Sequence, residues 1–189
     1  MRSRDLFVAR CLTSDDGDRG QEIARRAFAL VSLAHPSLSF AAWTRYLRRA
    51  TSSKDGRSGL VLIEDPRGYP HALYRYEVDV QPSLVAASEG LARVLNVRDL
   101  VIADVVGAGP DLLTAIARHG EELGRELRCD AVAVHLPQSV VNAVEGLEGY
   151  RAVSDGIMVR RITTASPSGG PSVTAVSEQS GDNRSPSRA

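Results

Sequence analysis

Residues 100–136 read LVIADVVGAGPDLLTAIARHGEELGRELRCDAVAVHL, and the reading of this stretch decides the fold. Leu100–Val106 is an apolar run broken only by Asp104, as expected for a strand covered on both faces. Gly107-Ala108-Gly109-Pro110 is a tight turn, with Pro110 suited to the first helical position. Beyond it, Leu112, Leu113, Ile116, Gly120, Leu123 and Leu127 recur at three- and four-residue spacing, the stripe of an amphipathic helix. Ala131–Leu136 is a second buried strand. Strand, helix and strand in this order make a βαβ unit with a right-handed crossover and parallel strands. The glycine turn sits where a helix N-terminus leaves N–H groups unpaired, so it can hold a phosphate, but by itself it reads first as a plain tight connection and second as a phosphate cradle.

Upstream, Asp5–Thr13 fits a first strand, with Leu6, Val8 and Arg10 on one face. A helix is expected from about Gly20 to Ala34, with Ile23, Ala27, Leu30, Val31 and Ala34 as its buried stripe, ended by Pro36. Ser39 can cap a second helix whose Phe40, Trp43 and Leu47 face inward. Arg45, Arg48 and Arg49 line its other side, which reads as a solvated face or as a contact for an acidic ligand. Gly59–Glu64 and His71–Val80 are strands joined by Asp65-Pro66-Arg67-Gly68, a type I turn pattern. The second of them alternates, Ala72, Tyr74, Tyr76, Val78 and Val80 on one face, as in an antiparallel hairpin. Ser83–Leu95 is read as a loop feeding the next strand.

Downstream, Pro137 closes the second buried strand and Ser139 can cap a short helix, Val140–Leu147, that Gly149 terminates in the left-handed conformation. Tyr150–Val153 and Ile157–Ile162 follow as a hairpin across Ser154-Asp155-Gly156. Residues 163–189 hold Ser, Thr, Pro and Gly with almost no large apolar residue, so this segment is expected to be a disordered tail to one domain spanning 1–162.

Basic and acidic residues number 23 each, and the formal charge is zero, which favours neither nucleic acid nor an anionic membrane as partner. Cys11 and Cys129 have no metal-ligand spacing to each other or to the four histidines, so no metal is expected. No apolar run approaches a membrane span, and no signal-peptide core precedes the first strand. A cytoplasmic protein is the expectation.

The element order, β-α-α-β-β-β-α-β-α-β-β with one parallel junction at the glycine turn, resembles the GNAT acetyltransferase superfamily over roughly residues 7–162. The family writes its phosphate loop R/Q-x-x-G-x-G/A, followed by two apolar residues on the next helix. Here the positions are Asp104-Val105-Val106-Gly107-Ala108-Gly109, then Leu112 and Leu113. Gly149-Tyr150 before a closing hairpin resembles the family's Gly-aromatic pair. The fold class implied is α+β (α/β): a mixed, largely antiparallel sheet with one parallel pair, flanked by helices on both faces.

The resemblance further implies an acyl-CoA-dependent N-acyltransferase, with acetyl-CoA as cosubstrate and a small-molecule or protein amine as acceptor. CoA would lie in a splay between the strand ending near Ile102 and Ala103 and the one at Ala131–Leu136. Its pyrophosphate would rest on N–H groups of Val105, Val106, Gly107, Ala108 and Gly109. A cofactor-contacting Asn of the family falls at Gln138 by spacing, with Asn142 close by. Three departures predict weakened CoA binding: Asp104 replaces Arg or Gln, Pro110 removes one N–H, and Asp111 adds a second negative charge. The tyrosine that often protonates the leaving thiolate is replaced by Glu145. The alternative is therefore a GNAT-fold module that binds a ligand or partner without transfer chemistry. As candidates for a base, Glu64, Glu77, Asp99 and His135 titrate and belong to segments bordering the expected cleft. The segment Gly20–Arg49, which would shape the acceptor pocket, carries no diagnostic cluster.

Overall fold

The computed structural model describes residues 6–12, 17–53, 55–82, 91–103, 109–141 and 147–162. The expected tail, the loop residues Asp104–Ala108, Asn142 and Glu145 lie outside them. The described elements run β1 (Val8–Leu12), α1 (Gly17–Ala34), α2 (Phe40–Ala50), β2 (Ser58–Glu64), β3 (Pro70–Pro82), β4 (Leu91–Ile102), α3 (Gly109–Glu126), β5 (Ala131–His135), α4 (Gln138–Val141), β6 (Arg151–Ser154) and β7 (Ile157–Arg161). The strands form one sheet in the order β1-β2-β3-β4-β5-β7-β6. Every neighbouring pair is antiparallel except β4 and β5, which α3 connects as the crossover.

Helices cover both faces. On one, Ile23, Ala27, Leu30 and Val31 of α1 and Trp43 of α2 pack on Leu60, Leu62 and Leu73. Ala34, expected in the α1 stripe, is exposed at the helix end. Trp43 is fully buried and donates its indole N–H to the Ala24 carbonyl at 2.8 Å, which pins α2 to α1. Ser39 caps α2, its hydroxyl accepting from the Ala42 amide at 3.2 Å. On the other face, Leu112, Leu113, Ile116 and Leu123 of α3 meet Val61, Tyr74, Leu95, Val97 and Val132. Gly124 lets α3 lie close to the sheet; a Cβ there would stand 2.4 Å from Cδ1 of Ile162 and 3.2 Å from Cγ2 of Val132.

The parallel pairing differs in place from the sequence expectation. It joins Val94–Val97 to Ala131–Val134, not Leu100–Val106. Residues Val94–Val97 are the segment covered on both faces, whereas Val101–Ala103 are only half-buried. Leu91–Leu95, read above as loop, is the first part of β4, because β3 runs on to Pro82 and offers it a partner along that length. Leu91 and Leu95 have helical spacing, but the β3 ladder overrides that local preference. Between the Leu73–Val101 and Arg75–Arg98 pairs β4 holds one extra residue, a bulge at which Asp99 takes φ +52°. Asp tolerates this left-handed conformation better than most residues. Past the bulge β4 leaves β5, and a gap opens between the two strands.

Candidate functional site

A cleft of about 780 Å³ opens where β4 and β5 part, roofed by α2 and the corner between α1 and α2. Its floor and walls are apolar, with Leu60, Leu73, Leu100 and Val101 from the strands and Val31, Leu38 and Trp43 from the helical side. Polar groups gather at the bulge end: Asp99 from β4, His135 from the end of β5, and Tyr46 from α2. Two of the four candidate bases, 36 residues apart in the chain, thus line one cavity.

A chain of polar side chains behind the cleft sets the state of His135. Asn96, 1% exposed in the middle of β4, donates Nδ2–H to Oδ2 of Asp79 at 3.1 Å. Asp79 pairs in turn with Arg98 at 3.6 Å. A carboxylate can only accept, so the Asn96 amide nitrogen must face Asp79 and its Oδ1 must face the other way. That oxygen accepts from Gln81 Nε2 at 3.4 Å and lies 3.3 Å from Nε2 of His135. His135 therefore carries its proton on Nε2 and keeps a lone pair on Nδ1. Burial, and then the Arg98 guanidinium, pull the imidazole below the ordinary histidine range, which keeps it neutral at pH 7. The phenol of Tyr46 moves the other way, raised by burial and then by the Asp99 carboxylate, and stays protonated. Asp99 also faces Nη1 of Arg75 at 3.9 Å, while Arg75 hydrogen-bonds Glu77 more closely.

Other expected site residues stand elsewhere. Glu64 is 3% exposed and held by Arg10 and Arg26, at the far end of β2 from the cleft. Glu77 is bound to Arg75 and contributes no lining atom to the described cleft. Ile102 packs toward α3, and Ala103 closes the β3–β4 ladder by donating to the His71 carbonyl at 2.8 Å. Gly109 opens α3, where a Cβ would meet nothing within 4 Å. Gln138 is exposed at the start of α4. Tyr150 turns away from the cleft, its hydroxyl donating to the Ala117 carbonyl of α3 at 3.3 Å. Sequence reasoning missed Tyr46 and Asn96. For Asn96 a signal existed, since a carboxamide between Leu95 and Val97 in a buried strand needs partners.

No family model matches this sequence, and no curated protein matches it. Solved structures do. Aminoglycoside antibiotic 6'-N-acetyltransferase AAC(6')-Ih from Acinetobacter baumannii is similar with a TM-score of 0.52 at 10% identity, over 78% of this chain and 95% of that one. Aminoglycoside N-acetyltransferase AAC(6')-Iy, in complex with CoA, is similar with a TM-score of 0.51 at 9% identity, over 72% and 81%. The chain has the fold of the GNAT acetyltransferase superfamily, with its seven-stranded mixed sheet, single parallel pair and flanking helices. At these identities the likeness is one of fold. Among the described residues no helix is long and apolar enough to cross a membrane, and no group of three His, Cys, Asp or Glu is placed to hold a metal ion.

Proposed function

We propose that this chain is an acyl-CoA-dependent N-acyltransferase. The observation that carries the reading is the cleft at the parting of β4 and β5, which a neutral imidazole and a carboxylate both line. Acyl-CoA would supply a thioester, whose C–S bond breaks as the amide C–N bond forms. Unpaired strand edges in the splay suit the amides of a pantetheine arm, much as they would suit an added strand. The N-terminus of α3, with its open position at Gly109, suits the pyrophosphate. Asp99 attracts the ammonium form of the acceptor. His135 accepts, on Nδ1, the proton that the acceptor nitrogen sheds. Tyr46 is the described phenol of the cleft and holds a proton for a leaving thiolate. The acceptor is a small amine able to enter this cleft.

Binding and turnover test the reading separately. Acetyl-CoA at one hundred times its dissociation constant should stabilise the protein by about 2.7 kcal/mol, visible as a raised thermal midpoint. Amine-dependent release of free CoA thiol then reports transfer. A shifted midpoint with no thiol release from any primary amine would favour the second reading, a binding module. That reading draws on Tyr150, whose hydroxyl is committed to α3, and on Glu145 standing where the resembling family has its tyrosine.

A further inference from the structure

The lining of the cleft also speaks to what the acceptor is. From it we infer that the cleft takes a primary monoamine carrying one apolar body, with the ammonium at Asp99 and the body against Trp43, Leu60 and Leu73. The inference rests on the acyltransferase reading only for the fate of the amine, and on the cleft alone for its recognition. A volume of about 780 Å³ admits one small molecule with room to spare. Apolar side chains from both helices and three strands make up most of its wall. Burying an apolar body there gains roughly 25 cal/mol per Å² removed from water, whereas burying several hydroxyls without partners costs free energy.

Charge points the same way. Asp99 is the one carboxylate among the described lining residues. The ion pairs beside it are Arg75, which bonds Glu77 and faces Asp99 at 3.9 Å, and Arg98 with Asp79, so these five groups together carry one net negative charge. His135, within electrostatic reach of Asp99, is neutral at pH 7. One excess negative charge matches one ammonium. A polycationic, polyhydroxylated amine would need several acceptors in a cleft whose described lining offers, besides Asp99, only His35, Ser37, Tyr46 and His135 as titratable or hydroxyl side chains.

Trp43 is the only tryptophan of the chain and lines the cleft, so its emission reports occupancy in the intact protein. Full-length protein is titrated with 2-phenylethylamine, with 2-phenylethanol as its uncharged analogue, and with kanamycin. The expected result is a saturable emission change with both phenyl compounds and none with kanamycin. Because Asp99 is largely exposed, the amine should bind about fivefold more tightly than the alcohol, the upper range of an exposed ion pair. Asp99→Asn, an isosteric change that keeps a residue tolerant of positive φ, should make the two bind alike. Tighter binding of kanamycin than of 2-phenylethylamine would overturn the inference, as would equal affinity for amine and alcohol in the wild type. A phenylalanyl peptide binding more tightly than 2-phenylethylamine would overturn it in favour of a peptide N-terminus. Thiol release from acetyl-CoA is followed in parallel. Phenylethylamine binding as expected without thiol release sinks the acyltransferase reading and upholds the class of ligand the cleft recognises; thiol release driven by kanamycin alone does the reverse.

Discussion

Oδ1 of Asn96 lies 3.3 Å from Nε2 of His135, and the carboxylate of Asp79 on the other side of Asn96 decides which way the amide points. Asn96 is thus a positioning residue for the base. In Asn96→Leu the ring should populate both neutral tautomers, seen as a change in the nitrogen shifts of His135. The turnover rate should fall by about tenfold with the amine KM unchanged, a fraction of the hundredfold or more expected when His135 itself is replaced by Gln. An unchanged His135 tautomer in the variant would remove Asn96 from this role.

A second histidine links the fold to pH. Tyr74, buried and held well above the ordinary phenol range chiefly by that burial, shares a hydrogen bond between its hydroxyl and Nδ1 of His119 on α3. Burial pulls His119 below the ordinary histidine range, and His135 shares that direction. Both rings therefore bind protons more readily in the unfolded chain. Their contribution to stability is full above the unfolded value of about 6.5 and declines as pH falls from there toward the lowered folded values. Tyr74→Phe should cost about 1 kcal/mol near neutral pH and, where the phenol donates to the neutral ring, shrink the loss seen on acidification. Urea unfolding at about pH 7.5 and about pH 5 measures both effects. An equal acid loss in the two proteins would show that the hydrogen bond does not hold His119 neutral.

Glu64 stabilises the sheet end instead of serving the cleft. Its buried carboxylate is shared by Arg10 of β1 and Arg26 of α1, so it ties a strand and a helix to β2. Glu64→Ala leaves two part-buried guanidiniums without their partner and should cost about 3 kcal/mol. Turnover per folded molecule should stay within about twofold, as a surface or scaffold change allows. Stability equal to wild type would show that the two arginines find solvent at no cost.

Gly109→Val should leave the thermal midpoint of the free protein nearly unchanged, because its Cβ position is open. The same side chain should abolish CoA binding if the pyrophosphate rests on this helix N-terminus. Wild-type CoA affinity in calorimetry would move the ligand elsewhere.

Asp104→Gln should tighten CoA binding by about tenfold, since two like charges about 4 Å apart repel by roughly 1 kcal/mol in water and more where water is excluded. A pantetheine fragment without the diphosphate should bind both proteins alike. No gain for CoA would place Asp104 away from the phosphates.

The periodicity of Leu112, Leu113, Ile116 and Leu123, set between two apolar runs, was sufficient by itself to define α3 as the crossover between parallel strands. Alternation in residues 72–80 likewise defined a hairpin strand. These patterns are local: a helix or strand must bury its apolar side whatever it packs against. Which part of β4 pairs with β5 was not local. Leu91–Leu95 became strand because β3 extends to Pro82, and the pairing then began at Val94 instead of Leu100. The cleft follows from that register, since a bulge at Asp99 exists only relative to the facing strand. His135 and Asp99 were legible as titratable residues, yet their meeting was decided by the tertiary structure. So was the tautomer of His135, which depends on Asn96 and, through it, on a carboxylate 56 positions upstream in a neighbouring strand. Side-chain chemistry is written residue by residue, whereas the orientation of a hydrogen-bonded amide is set only when its donors and acceptors are brought together.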